Sequence, residues 1–320
     1  MFPPDWLFGS EYASGAGIWR CNQGTLFEAD RYSLSKAETM EEMAMQISVQ
    51  DYAQECAEQG LRGDYTKCRS DFTVEQPADY SAAEQAVWRT LCERQTKLTE
   101  RLAHRSYLDG VGALGLLDGI PHFDAVSERL RPLTGWEIVA VPGLIPAGPF
   151  FDHLANRRFP VTNWLRTRDE LDYIVEPDMF HDFFGHVPIL AQPVFADFMQ
   201  MYGEKAQGLF DRGGGDMVTR LYWYTAEYGL IEEPGGPLKA FGAGLMSSFT
   251  ELTHAVEGAA HHVPFDLETV MRTGYEIDKF QRAYFVLPSF DALRDAFETA
   301  DLPAIVDRWK DAPPLDPAAL

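Results

Sequence analysis

The chain has 320 residues, 46% hydrophobic and 24% charged, the composition of a folded protein with a sizeable core rather than of a disordered or fibrous one. Its 49 acidic residues against 27 lysines and arginines give a net charge of −22, which excludes the broad positive surface that nucleic acid or an anionic membrane demands. The four cysteines, Cys21, Cys56, Cys68 and Cys92, are irregularly spaced without a C-x-x-C pair, which argues against a zinc ribbon or redox couple. With neither a leader pattern nor a long apolar run, the expectation is a cytoplasmic protein.

In chain order, an irregular opening leads into residues 36–61, read as a helix whose apolar stripe includes Met43, Ile47, Tyr52 and Cys56. The stretch DFTVEQPADY reads as a linker or entry strand, and Ser81 is the candidate cap of the amphipathic helix that follows, with Val87, Leu91 and Leu98 on one side. Another helix is expected over DAVSERLRPL, then a strand over WEIVAV ended by Pro142-Gly143. Beyond Phe150 the patterns are mostly helical, and the prolines of DAPPLDPAAL exclude a zipper-type tail. The fold class is therefore mainly α with a few short strands. The expected organisation is an acidic, partly helical extension at 1–66, a main catalytic domain at 67–310 and a Pro-rich tail at 311–320.

The segment EPDMFHDFFGHVPIL carries His181 and His186 five residues apart. Such a pair stands about 140° apart on an ideal helix, so one metal is shared only if the helix bends or ends, and Gly185 and Pro188 supply a cause. The i, i+4 spacing of a zinc protease motif is not present here. Glu227, among Leu221, Tyr222, Trp223, Tyr224 and Tyr228, is an acid in an aromatic helix and needs compensation for its desolvation; a metal would provide it. Two histidines and a carboxylate suit ferrous iron that activates dioxygen, and zinc equally well.

From Tyr80 to about Phe290 the text resembles the catalytic domain of the aromatic amino acid hydroxylases, most closely their compact bacterial form. The resemblance is carried by VWRTLCERQ, LTGWEIVAVPGLIP, FFDHLANRRFPVTNWLR, LDYIVEPDMFHDFFGHVPIL, RLYWYTAEYGL, FGAGLMSS and MRTGYEIDKFQRAYFVLPSF. It implies the fold of that catalytic domain and Fe(II) held by His181, His186 and Glu227, with Asp178 orienting the first histidine. It implies that Arg166 pairs with the substrate carboxylate, that Ser247 lies near the substrate's polar end, and that Trp223 and Pro177 pack on the substrate ring. A tetrahydropterin, tetrahydrobiopterin or a related reduced pterin, would lie on the VPGLIPAGPFF loop against Gly143, Ile145 and Phe150, with Asp182 close by.

The implied reaction is hydroxylation of phenylalanine at the 4 position with dioxygen, Ile277 matching the phenylalanine-type pattern. Tryptophan 5-hydroxylation and meta-hydroxylation of phenylalanine stay open, as does a non-catalytic metal- or pterin-binding module. The expected partners are the aromatic amino acid, dioxygen and pterin, without nucleic acid or membrane. A monomer is expected, with the N-terminal extension as a possible contact.

Overall fold

Ser81 opens the longest helix among the described residues with a reciprocal cap: its hydroxyl accepts from the Glu84 backbone N–H while the Glu84 carboxylate accepts from the Ser81 N–H. The computed structural model describes residues 48–320 apart from 234 and 278. The part of the expected N-terminal helix before residue 48, with Met43 and Ile47, lies outside these residues. In chain order the main helices are α1 (Val49–Gln59), α2 (Ala82–Leu102), α3 (Arg105–Leu114), α4 (Phe123–Thr134), α5 (Ala147–Ala155), α6 (Pro193–Asp211), α7 (Gly215–Tyr222), α8 (Ala243–Ser247), α9 (Glu251–Glu257), α10 (Leu267–Arg272), α11 (Phe290–Thr299) and α12 (Leu302–Trp309). The strands are β1 (Glu137–Val141), β2 (Arg158–Thr162), β3 (Leu230–Glu232), β4 (Leu238–Ala240), β5 (His262–Pro264) and β6 (Tyr284–Leu287).

Two small sheets frame the helices. β1 and β2 pair in parallel, from Glu137 opposite Arg158 to Val141 opposite Thr162, with α5 as the crossover that parallel strands require. The second sheet has the order β4-β3-β6-β5, antiparallel only between β3 and β4. A run containing Pro160 reads poorly as a strand, and β2 was not expected from the sequence; in a two-stranded sheet the missing N–H can face away from the partner.

The core is dominated by large aromatic side chains with almost no exposure, among them Trp88, Tyr107, Trp136, Phe159, Phe180 and Phe183. Trp88 on α2 meets Phe180 edge to face at 5.4 Å, and Phe123 on α4 meets Phe183 at 5.0 Å, so α2 and α4 buttress the histidine-bearing segment from behind. The 142–145 loop at the carboxyl end of β1 is pinned twice: the Trp164 indole donates to the Pro142 carbonyl at 2.8 Å and the Tyr52 phenol to that of Leu144 at 3.2 Å. Thus α1 reaches the same loop that the sequence marks as functional. The C-terminal tail is also tied down, since the Leu315 N–H donates to Arg272 O and the Gly274 N–H to Leu315 O.

Candidate metal centre and cleft

The bend expected between the two histidines takes the form of a π turn over His181–His186, followed by a tighter turn at Val187–Ala191. The Val187 N–H reaches back five residues to Asp182 O, and the wider turn carries residue i+5 over residue i. The two imidazoles consequently stand 4.9 Å apart, at 85° to each other. A second π turn spans Trp223–Glu227, closed by the Tyr228 N–H on Trp223 O at 2.9 Å. It brings Glu227 to the histidines: Oε1 lies 3.0 Å from His186 Nε2 and Oε2 3.6 Å from His181 Nε2.

Close backbone approaches hold the two turns together. A Cβ at Gly242 would lie 2.4 Å from the Glu227 carbonyl oxygen, and one at Gly185 would lie 2.9 Å from that of Ala243. Glycine at both places lets α8 wedge between the turns and deliver Ser247. The Ser247 hydroxyl donates to Ala243 O at 2.9 Å, so toward His181 Nδ1, also at 2.9 Å, it accepts. That assigns the proton of a neutral His181 to Nδ1 and leaves the Nε2 lone pair facing Glu227.

The donor set fits a metal ion. One ligand atom from each of His181, His186 and Glu227 lies within 4.8 Å of the others, and all three residues are buried. Glu227 Oε2 is buried without a hydrogen-bond partner among the described residues, an arrangement that a cation would satisfy. Burial pushes the Glu227 carboxyl up, but His186 and His181 outweigh it and hold the group well below the usual carboxylate range. The group is thus an anionic ligand.

These three residues sit in a cleft enclosing about 700 Å³, part of it open to solvent, whose lining includes Gly143, Ile145, Phe150, Pro177 and Asp182. The cleft lies beyond the carboxyl ends of β1 and β2, the usual ligand position in parallel α/β units. Asp182 is fixed by the Thr162 N–H, which donates to Oδ2 at 2.7 Å; burial raises its pKa against the opposing pull of His181 and His186. Val141, Leu144, Phe159, Pro160, Thr162 and Tyr222 also line the cleft and were not singled out from sequence. For Tyr222 a signal existed: it is five residues from Glu227, the same interval as the histidine pair.

Four of the expected site residues have partners that the sequence did not indicate. Asp178 holds His181 through its backbone: its Oδ1 accepts from the His181 N–H at 3.1 Å, and both its oxygens receive the Arg166 guanidinium at 2.8 Å. Ser247, expected near the substrate's polar end, bonds the His181 ring. Arg166 is buried in its pair with Asp178 and is absent from the cleft lining, as is Trp223, whose indole stacks on Tyr275 at 4.4 Å. The reason is common to all four: each buried polar group took the nearest complementary partner, which sequence spacing does not reveal.

A cleft of this kind, with a buried His-His-carboxylate set beside a glycine-containing loop, is a metal-dependent catalytic architecture. The model of the biopterin-dependent aromatic amino acid hydroxylases matches residues 63–301, and the chain belongs to that family. A phenylalanine-4-hydroxylase of Mesorhizobium japonicum is 78% identical over 275 residues, covering 86% of this chain and all of the relative. One from Ralstonia nicotianae is 48% identical over 231 residues, 71% of this chain and 74% of its own length. The crystal structure of Chromobacterium violaceum phenylalanine hydroxylase with iron and phenylalanine bound superposes with a TM-score of 0.75 at 44% identity, covering 83% of this chain and 96% of that one.

Proposed function

We propose that the chain is a phenylalanine 4-monooxygenase, converting L-phenylalanine to L-tyrosine with dioxygen and a tetrahydropterin at Fe(II) held by His181, His186 and Glu227. The observation that carries this reading is the buried His-His-Glu set with Glu227 Oε2 left without a hydrogen-bond partner among the described residues, at the floor of a cleft that opens to solvent. Its relatives carry the same named activity, and one of them binds iron and phenylalanine. Iron and the pterin, when bound, supply dioxygen activation and two reducing electrons; one oxygen atom enters the ring and the other leaves at the oxidation level of water.

The protein's own contribution is position and dryness. Ser247 holds His181 with Nε2 toward the metal position, while Asp178 fixes the backbone of the same histidine. Phe150, Ile145 and the backbone of Gly143, all lining the cleft, offer a largely apolar bed for the pterin, with Asp182 as acceptor for its N–H groups. Arg166 gives Nε and Nη2 to Asp178, which leaves Nη1 for a substrate carboxylate. Pro177 at the cleft wall and Trp223, on the π turn that carries Glu227, bound the ring site.

No helix among the described residues is long and apolar enough to cross a membrane, and a cytoplasmic monomer is the reading that accompanies this function. The test is Fe(II) protein prepared without oxygen, then given oxygen, tetrahydropterin and phenylalanine, tyrosine or tryptophan separately. Tyrosine from phenylalanine, absent in His181→Ala, is the expected result. A meta product or 5-hydroxytryptophan as the main product would move the substrate or position, and no product from any amino acid would overturn the reading.

A further inference from the structure

Behind the cleft floor, one buried amide ties the second π turn to the segment leading into β6. Gln281 Oε1 accepts from Trp223 Nε1 at 3.0 Å, while its Nε2 donates to the Glu276 carbonyl at 2.6 Å. Its backbone N–H donates to Glu251 Oε1 at 3.0 Å, and the Tyr284 phenol donates to the same oxygen at 2.8 Å. Gln281, Glu251, Tyr284 and Trp223 are all buried. Between Gly274 and Gln281 the chain carries Tyr275, whose ring lies nearly parallel to the indole at 4.4 Å and 18°, and Ile277, half-buried against the core.

An indole N–H in an apolar interior needs an acceptor, and the acceptor's position selects the ring plane. A glutamine amide presents an acceptor and a donor from one rigid plane, so the plane of Trp223 and the course of residues 274–277 are set together. We propose that Gln281 is a positioning residue for the substrate's aromatic ring: by orienting Trp223 and the Tyr275–Ile277 segment as one unit, it sets which ring carbon faces the metal. The proposal rests on the functional reading above, in which Trp223 bounds the ring site. Regiochemistry is sensitive to such a device, because a misplacement of about 1 Å can cost roughly 100-fold in rate.

The test compares wild type, Gln281→Met, Trp223→Phe and the double variant as Fe(II) enzymes. The readouts are KM for phenylalanine and for tetrahydropterin, pterin oxidised per amino acid hydroxylated, the para-to-meta product ratio, and calorimetric binding of phenylalanine without oxygen. Gln281→Met is expected to raise the phenylalanine KM and Kd roughly five- to tenfold, the scale of a lost buried hydrogen bond, with the pterin KM unchanged. It should also oxidise excess pterin and release meta-tyrosine, and in the Trp223→Phe background its added effect should fall below about twofold, since the shared bond is already gone. Wild-type coupling and product ratio in Gln281→Met, or equal effects in both backgrounds, would overturn the proposal. If Gln281→Met does not fold, Gln281→Asn, which withdraws the amide by one methylene, is read by the same criteria. A wild type that hydroxylates no amino acid overturns the functional reading and the proposal with it, whereas a normal wild type with an indifferent Gln281→Met overturns the proposal alone.

Discussion

The cleft and the outer surface treat charge in opposite ways. Around the metal centre, Arg166 and Asp178 form a forked pair with both side chains buried, and Glu227 lies between two buried histidines. On the surface, pairs such as Arg105 with Asp109 leave 77% and 59% of their side chains exposed, and most ion pairs among the described residues are of this solvated kind. A buried ion that loses its partner keeps its desolvation penalty, while a surface ion is simply rehydrated. Among the described residues the surface charges outnumber the interior ones, yet the interior ones shape the site.

The sharpest way to break that contrast is at the ligands. His181→Ala or Glu227→Ala should lower hydroxylation by roughly three orders of magnitude or more, the scale of losing several kcal/mol of metal-dependent stabilisation. Iron per chain, measured with product formation, should fall in parallel; full iron content with no activity would point to a different role. Asp178→Ala strands the Arg166 guanidinium and should cost about 3–5 kcal/mol in urea unfolding.

Ser247→Ala should leave folding within about 1 kcal/mol of wild type but weaken Fe(II) retention roughly 10- to 100-fold, as read by competition with a chelator. Unchanged retention would mean that the His181 ring is held by packing alone. A smaller effect is expected at Glu251, whose pKa burial raises against the Gln281 N–H and Tyr284 phenol that lower it. A carboxyl with a raised folded-state pKa contributes stability below its unfolded pKa of about 4.3, and that contribution is lost as pH rises through the folded value. Glu251→Gln should therefore flatten the decline of Tm across that window. At the end of the scale, Asp109→Ala should change stability by no more than about 0.5 kcal/mol, and less in high salt.

Much of the site was legible because its chemistry is local. The residue types of FHDFFGH and YWYTAE name the ligands, the proline and glycine of VPGLIP mark the loop, and Ser81 with Glu84 announces the start of α2. Less legible was the helix geometry between the histidines: Gly185 signals a disturbance, but it is the five-residue hydrogen bond from Val187 to Asp182 that defines the π turn. The strand at Arg158–Thr162 was hidden by Pro160, and Tyr222 by the assumption of an ordinary helical interval.

The sequence by itself determined the mainly helical class, the family text and the identity of the three donors, since these depend on residue type and on intervals of a few positions. Only the tertiary structure decided who serves whom. It assigned the His181 ring to Ser247, 66 residues away, kept Asp178 for Arg166 and the histidine backbone, and put Trp223 against Tyr275 and Gln281 rather than in the cleft lining. Those choices follow from burial: once water is excluded, each polar group must be satisfied by whichever partner the fold brings within about 3 Å, and that distance is not written in sequence spacing.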